Sequence, residues 1–208
     1  MSIIRPSVSL KAEPNSQSML ETECLYGEKF EIFDENTEWY YGKLTTDNYF
    51  GWIKKNGLGN LCNATHRILL KRTFLLSNNT EKSNLINYLP MGSMISVKKI
   101  QDNWAEVHLT NQDNHNTGFI PKNHIIKLSG KIKNWVSSAE ELLHTPYRWG
   151  GRDTIGLDCS ALLQLSYQTF GQNIPRNSKD QAQINKPILD SIDDLYRGCV
   201  IFWKGHVG

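Results

Sequence analysis

The chain has 208 residues, 39% apolar and 21% charged, with a formal charge of +2 at pH 7. That length suits one large domain or two to three small ones, and the near balance of charge gives no reason to expect nucleic acid or an anionic membrane surface as partner. No stretch approaches the roughly 20 apolar residues of a membrane span, and the start, MSIIRPSVSLKAEP, lacks the apolar run of about 7–15 residues of a secretory signal, so a cytoplasmic location is expected.

The first 127 residues read as short strands and turns, and they repeat. "YGEKFEIFDENTEWYYGKL…YFGWIKKN" resembles "MGSMISVKKIQDNWAEVHL…NTGFIPKN", with Gly27, Trp39, Leu44 and Gly51 matching Gly92, Trp104, Leu109 and Gly118 at offsets of 65, 65, 65 and 67. Phe30 and Ile32 in one copy, and Ile95 and Val97 in the other, alternate with polar residues, as strands with one buried face do. The Gly-aromatic-Ile endings predict a tight turn and a buried edge, as in small barrels.

From Ile132 the period changes to that of a helix, through Trp135, Val136, Ala139, Leu142 and Leu143, with Pro146 as its stop. A second helix is predicted after Cys159, with Ala161, Leu162, Leu165 and Phe170 on its apolar face and Gly171 just beyond its end. In "PRNSKDQAQ", Ser178 and Gln181 fit a capping box for a third, short helix, and "CVIFW" at 199–203 has the length of a strand. Helices followed by a strand predict an α+β domain.

The four cysteines, Cys24, Cys62, Cys159 and Cys199, are widely spaced without a C-x-x-C pair, which argues against a disulfide framework or zinc site. No metal or organic cofactor is expected. Cys24 and Cys62 read as small buried apolar residues. Cys159 is different, because Asp158 is a good N-cap and sets it in the first turn of its helix. Unpaired backbone N–H groups and the helix dipole favour an anion there, and the same N–H groups suit an oxyanion in acyl transfer. A thiolate nucleophile needs a proton-shuttling partner. Of the six histidines, His206 follows the strand-like "VIFWKG", 47 positions beyond Cys159, and is the expected base. A capped helix carrying a buried, inert thiol accounts for the same two residues.

Both upstream units resemble bacterial SH3 domains in their "G…W…G-[WF]-I" layout. "TPYRWGG…GLDCSALLQ…PRNSKDQ…YRGCVIFWKGHVG" resembles the NlpC/P60 cysteine peptidases, whose core is papain-like, and the whole arrangement is similar to bacterial γ-D-glutamyl-L-diamino acid endopeptidases. The resemblance implies two SH3-like barrels, at residues 1–62 and 63–128, and a papain-like catalytic domain at 129–208. It implies Cys159 as nucleophile, His206 as base and Tyr147 as an oxyanion-assisting hydroxyl. Asp158, Ser160 and Ser178 would line the substrate groove, although helix capping also accounts for Asp158 and Ser178. Glu13 and Tyr49 of the first unit would receive the free amino group of an N-terminal L-alanine. The substrates so implied are peptidoglycan-derived peptides.

Two features depart from the family pattern. Cys199 stands where the family usually has aspartate, and the sequence stops two residues after His206, where the family continues with further strands and a third polar residue that orients the base. An incomplete catalytic domain is therefore expected. The alternatives are a catalytically inactive binder of the same peptides, and an acyltransferase.

Overall fold

The computed structural model describes residues 1–112, 115–184, 188–189 and 191–208. The first unit contains β1 (Ser2–Ile3), β2 (Ser7–Lys11), β3 (Leu20–Leu25), β4 (Phe30–Glu35), β5 (Trp39–Leu44), β6 (Phe50–Lys54) and β7 (Leu58–Gly59). Five of these form an antiparallel sheet in the order β3-β2-β6-β5-β4, and β1 pairs with β7. Period-two alternation turns Leu10, Cys24, Phe30, Leu44 and Ile53 inward, where all are buried.

The second unit contains β8 (His66–Ile68), β9 (Arg72–Leu76), β10 (Leu85–Pro90), β11 (Met94–Gln101), β12 (Trp104–Gln112), β13 (His115–Pro121) and β14 (Ile125–Lys127), ordered β10-β9-β13-β12-β11-β8-β14. Its core gathers Ile68, Leu75, Leu89, Ile95, Val107 and Ile120. The sequence repeat is a structural one at its centre. The meanders β4-β5-β6 and β11-β12-β13 pair in the same order, and each carries a bulge at the matching place, between Ile32 and Asp34 and between Val97 and Lys99. Gly27 and Gly92, matched in sequence, both adopt the left-handed conformation, with φ +78° and +90°.

The C-terminal unit contains α1 (Trp135–Glu141), β15 (Arg152–Asp153), β16 (Gly156–Leu157), α2 (Cys159–Thr169), α3 (Ser178–Gln181), β17 (Phe202–Trp203) and β18 (His206–Val207). α1 starts later than the apolar spacing predicts. Ile132 gives its N–H to Thr169, and the Asn134 side chain caps the helix by accepting from Val136 N at 2.9 Å. It also ends before Pro146, where His144 turns left-handed at φ +63°. α2 follows its prediction. Gly171, at φ +83°, donates to Gln168 O and Gln172 donates to Tyr167 O, the paired bonds of a Schellman end.

The predicted capping box of α3 is not formed. Asn177 is its N-cap, and the Gln181 amide instead donates to Ser160 O and Pro175 O, tying α3 to α2. The "CVIFW" run is also corrected, because only Phe202–Trp203 is strand, hairpinned to His206–Val207 through Gly205 at φ +79°. Cys199 lies outside that strand in a turn, its sulfur accepting from Tyr196 N at 3.2 Å.

The three units share a core. Leu25 of β3 and Met91 of the β10–β11 turn pack with Leu142, Leu157, Ala161 and Leu165 of the C-terminal unit. Burying each such side chain stabilises the assembly by about 1.5–3 kcal/mol. The α2 helix is therefore fixed against both upstream units before any polar contact is counted.

Candidate active site

The site is built at the start of α2. Asp158 has extended backbone, and its Oδ1 accepts from Ala161 N at 2.8 Å, the expected N-cap bond. Cys159 is thereby the first helical residue, half-buried, and it packs against the cluster of Leu163, Ile174 and Val207. Val207 belongs to β18, so the strand that carries His206 lies on α2. The His206 side chain is exposed and its ring sits 5.7 Å from that of Trp203.

Asp158 is the most heavily used carboxylate near the thiol. Arg176 grips it with two prongs, Nη1 to Oδ1 at 2.9 Å and Nη2 to Oδ2 at 2.6 Å. Ser160 Oγ donates to Oδ1 at 3.1 Å and Gly150 N to Oδ2 at 3.0 Å. Arg176 also reaches Ser160 Oγ at 2.8 Å and, across the unit boundary, Thr22 Oγ1 on β3 at 2.7 Å. Asp158 and Ser160, expected to line a groove, are both buried, with their side chains engaged inside the protein.

Tyr147 is 60% exposed and forms a parallel bridge with Leu157. Partial burial raises its phenol above the ordinary value, and the neighbouring Cys159 and Asp158 charges push the same way. The bridge to Leu157 sets Tyr147 opposite the residue two positions before Cys159.

Ser178 is the half-buried first residue of α3, beside Asn177. From the first unit, Tyr49 points at the same region. Its hydroxyl donates to Glu21 Oε2 at 2.9 Å, and its pKa is pushed up to about 12 by burial and then by Glu21, with Asn177 and Arg176 pulling the other way. Glu13 does not join it. That residue is exposed in the β2–β3 turn, its carboxylate accepting from Asn15 Nδ2 at 3.3 Å. The carboxylate beside Tyr49 is Glu21.

The loop that leads into α2 is clamped from upstream. Glu23 on β3 takes Arg148 Nη1 and the backbone N–H groups of Arg152 and Asp153. Asp153 Oδ2 accepts from Ser7 of the first unit at 3.0 Å and from Tyr88 of the second at 2.8 Å. Glu21 and Glu23 have no motif in the sequence that singles them out, and Arg176, although inside the "PRNSKDQ" motif, is given no role by it. A further signal was that "GQNIPRNS" has a single charge, Arg176, in an otherwise uncharged run. Among the described residues, no group of three or more His, Cys, Asp or Glu side chains converges as a metal site would, and no helix is long and apolar enough to cross a membrane.

Comparison with known proteins agrees with this arrangement. Residues 10–58 match the model of the bacterial dipeptidyl-peptidase SH3 domain, and residues 144–208 match that of the NlpC/P60 family. The chain is 28% identical over 227 residues to dipeptidyl-peptidase 6 of Lysinibacillus sphaericus, covering 99% of this chain and 82% of that one. It is 24% identical over 208 residues to the γ-D-glutamyl-L-lysine dipeptidyl-peptidase of Bacillus subtilis, covering 93% of this chain and 67% of that one. In fold it superposes on the crystal structure of an NlpC/P60 family protein from Bacillus cereus with a TM-score of 0.82 at 18% identity, covering 100% of this chain and 85% of that one. With an SH3 domain of the dipeptidyl-peptidase type ahead of it, the C-terminal unit belongs to the NlpC/P60 family of peptidases.

Proposed function

We propose that the protein is a cytoplasmic cysteine peptidase that hydrolyses the γ-D-glutamyl-L-diamino acid bond of peptidoglycan-derived peptides, with Cys159 as nucleophile. The observation that carries this reading is the placement of Cys159 as the first residue of α2, with Tyr147 bridged to Leu157 two residues before it and Tyr49 of the first unit hydrogen-bonded to Glu21. Both relatives are named dipeptidyl-peptidases, and the Bacillus subtilis one is named for a γ-D-glutamyl-L-lysine bond, which supports this reading.

In this mechanism His206 accepts the thiol proton and the Cys159 sulfur attacks the γ-D-glutamyl carbonyl carbon. The backbone N–H of Cys159 and the Tyr147 hydroxyl stabilise the oxyanion. The proton on His206 passes to the leaving amine as the amide C–N bond breaks. Water, deprotonated by the same imidazole, then cleaves the thioester and returns the free thiol. Glu21 supplies a carboxylate for the ammonium of an N-terminal L-alanine, with Tyr49 holding that carboxylate in place. Glu21 thereby takes the role the sequence suggested for Glu13. Asp158 and Ser160 hold the end of α2 rather than the peptide, and Ser178, the first residue of α3, contacts the peptide in this reading. The second upstream unit acts as a second SH3-like barrel that braces the loop before α2.

The test is incubation of L-Ala-γ-D-Glu-diaminopimelate with the protein and with Cys159→Ala, followed by mass spectrometry. Release of the L-Ala-γ-D-Glu dipeptide by the first and not the second is the expected result. A second reading, a peptide binder without turnover, is favoured by one observation: His206 is exposed, and its ring lies against that of Trp203. Calorimetric binding of the peptide without any cleavage would select that reading.

A further inference from the structure

The cap that starts α2 creates an electrostatic problem for a thiolate. Asp158 carries a full negative charge one residue before Cys159, and a like charge at that range opposes ionisation of the sulfur. Arg176 answers it. Its guanidinium is 3% exposed, grips both oxygens of Asp158, bonds Ser160 Oγ and is held in turn by Thr22 of the first unit. We propose that Arg176 is a positioning residue that cancels the Asp158 charge, so that the end of α2 keeps its preference for an anion at Cys159, and that docking of the first unit through Thr22 holds it in that role. This deepens the peptidase reading and rests on Cys159 being the nucleophile.

The geometry separates two functions that one carboxylate performs. As a cap, Asp158 needs only an acceptor oxygen, which the Asn side chain also offers. As a partner of Arg176, it needs its charge. Arg176 comes from the segment before α3 and supplies the neutralising cation from outside the helix. The other titratable groups around the thiol are Tyr147 from the loop before β15, whose phenol feels both Cys159 and Asp158, His206 on β18, and Tyr167 in the cluster that covers Cys159. Among the described residues, Arg176 is the cation bonded to this cap.

The experiment is the rate of Cys159 alkylation by iodoacetamide, which forms the thioether and releases iodide, followed by mass spectrometry of the intact protein and its Cys159-bearing peptide. Arg176→Met is expected to slow alkylation about tenfold at pH 7 and to slow it far less near pH 9.5, where free thiols are largely ionised. Adding Asp158→Asn to Arg176→Met removes both charges while keeping the cap acceptor, and is expected to restore the pH 7 rate to within about threefold of the parent. A merely structural role for Arg176 predicts the reverse, because the double variant then loses a further contact and alkylates no faster than the single one. Should Arg176→Met lack a cooperative thermal transition, the double variant alone carries the test: parent-like alkylation at pH 7 supports the proposal, and a tenfold loss overturns it. Peptide hydrolysis is measured alongside. Slower alkylation in Arg176→Met with no hydrolysis by the parent sinks the peptidase reading and leaves the role of Arg176 standing; hydrolysis by the parent with unchanged alkylation in Arg176→Met does the opposite.

Discussion

Arg152 lays its two Nη atoms on the two carboxylate oxygens of Glu28, each at 2.9 Å, with side chains 0% and 1% exposed. One comes from the loop before α2 and the other from the β3–β4 turn, so the pair bolts the C-terminal unit to the first. Glu28 Oε2 also accepts from Leu25 N at 2.7 Å. Replacing Glu28 with Gln keeps the shape and strands the buried guanidinium, which is expected to lower the unfolding free energy by about 3–5 kcal/mol. Urea unfolding measures it, and a loss below about 1 kcal/mol would contradict the bolt.

The amine-binding role proposed for Glu21, which accepts the Tyr49 hydroxyl, is tested by substitution. Glu21→Gln is expected to reduce kcat/KM for a peptide with a free N-terminus by roughly 10–100-fold, the worth of a charge-assisted hydrogen bond. An N-acetylated peptide should be nearly insensitive to the same change. Glu13→Gln, in an exposed turn, should leave both within about twofold. Steady-state kinetics on the two substrates decides it, and equal effects of Glu13→Gln and Glu21→Gln would return the role to an open choice.

Two half-buried phenols predict an alkaline limit to stability. Tyr49 and Tyr88 are both pushed up to about 12, by burial first and then by hydrogen bonds to Glu21 and Asp153. Unfolded tyrosine titrates near 10. With the folded value above the unfolded one, their contribution is complete below about pH 10 and is lost as pH rises toward 12. Thermal midpoints measured from pH 9 upward should therefore fall in that window. The fall should be shallower in Tyr49→Phe/Tyr88→Phe, and an unchanged slope would count against the assignment.

At Gly92 the backbone has φ +90°, and an added Cβ would sit 2.7 Å from Leu165 Cδ2 on α2. Gly92→Ala combines backbone strain with overpacking at the shared core, an expected loss of about 1–3 kcal/mol. Differential scanning calorimetry reads this as a lower midpoint; a midpoint equal to the parent's would mean that α2 can move away at no cost.

The readable parts of this molecule were those governed by local chemistry. The repeat with its matched glycines, the Asp158 cap and the Gly171 stop are all set within a few residues of themselves, and each is found in the fold. What failed depended on distant partners. α3 is capped by Asn177 rather than Ser178, which moves Gln181 out of the position the capping box needs, and its amide donates to Ser160 O and Pro175 O instead. The sequence reading put Glu13 with Tyr49, whereas in the fold the Tyr49 hydroxyl donates to Glu21 on β3 and Glu13 accepts from Asn15 in the β2–β3 turn. "CVIFW" is apolar enough for an interior strand, yet Trp203 remains 55% exposed beside His206.

Asp153 takes one hydrogen bond from Ser7 and another from Tyr88, while Glu23 holds the loop around it. The consequence is a shared fate in unfolding: Ser7, Glu23, Glu28 and Tyr88 tie Arg152 and Asp153 to both upstream units, so loosening either unit loosens the segment that leads to Cys159.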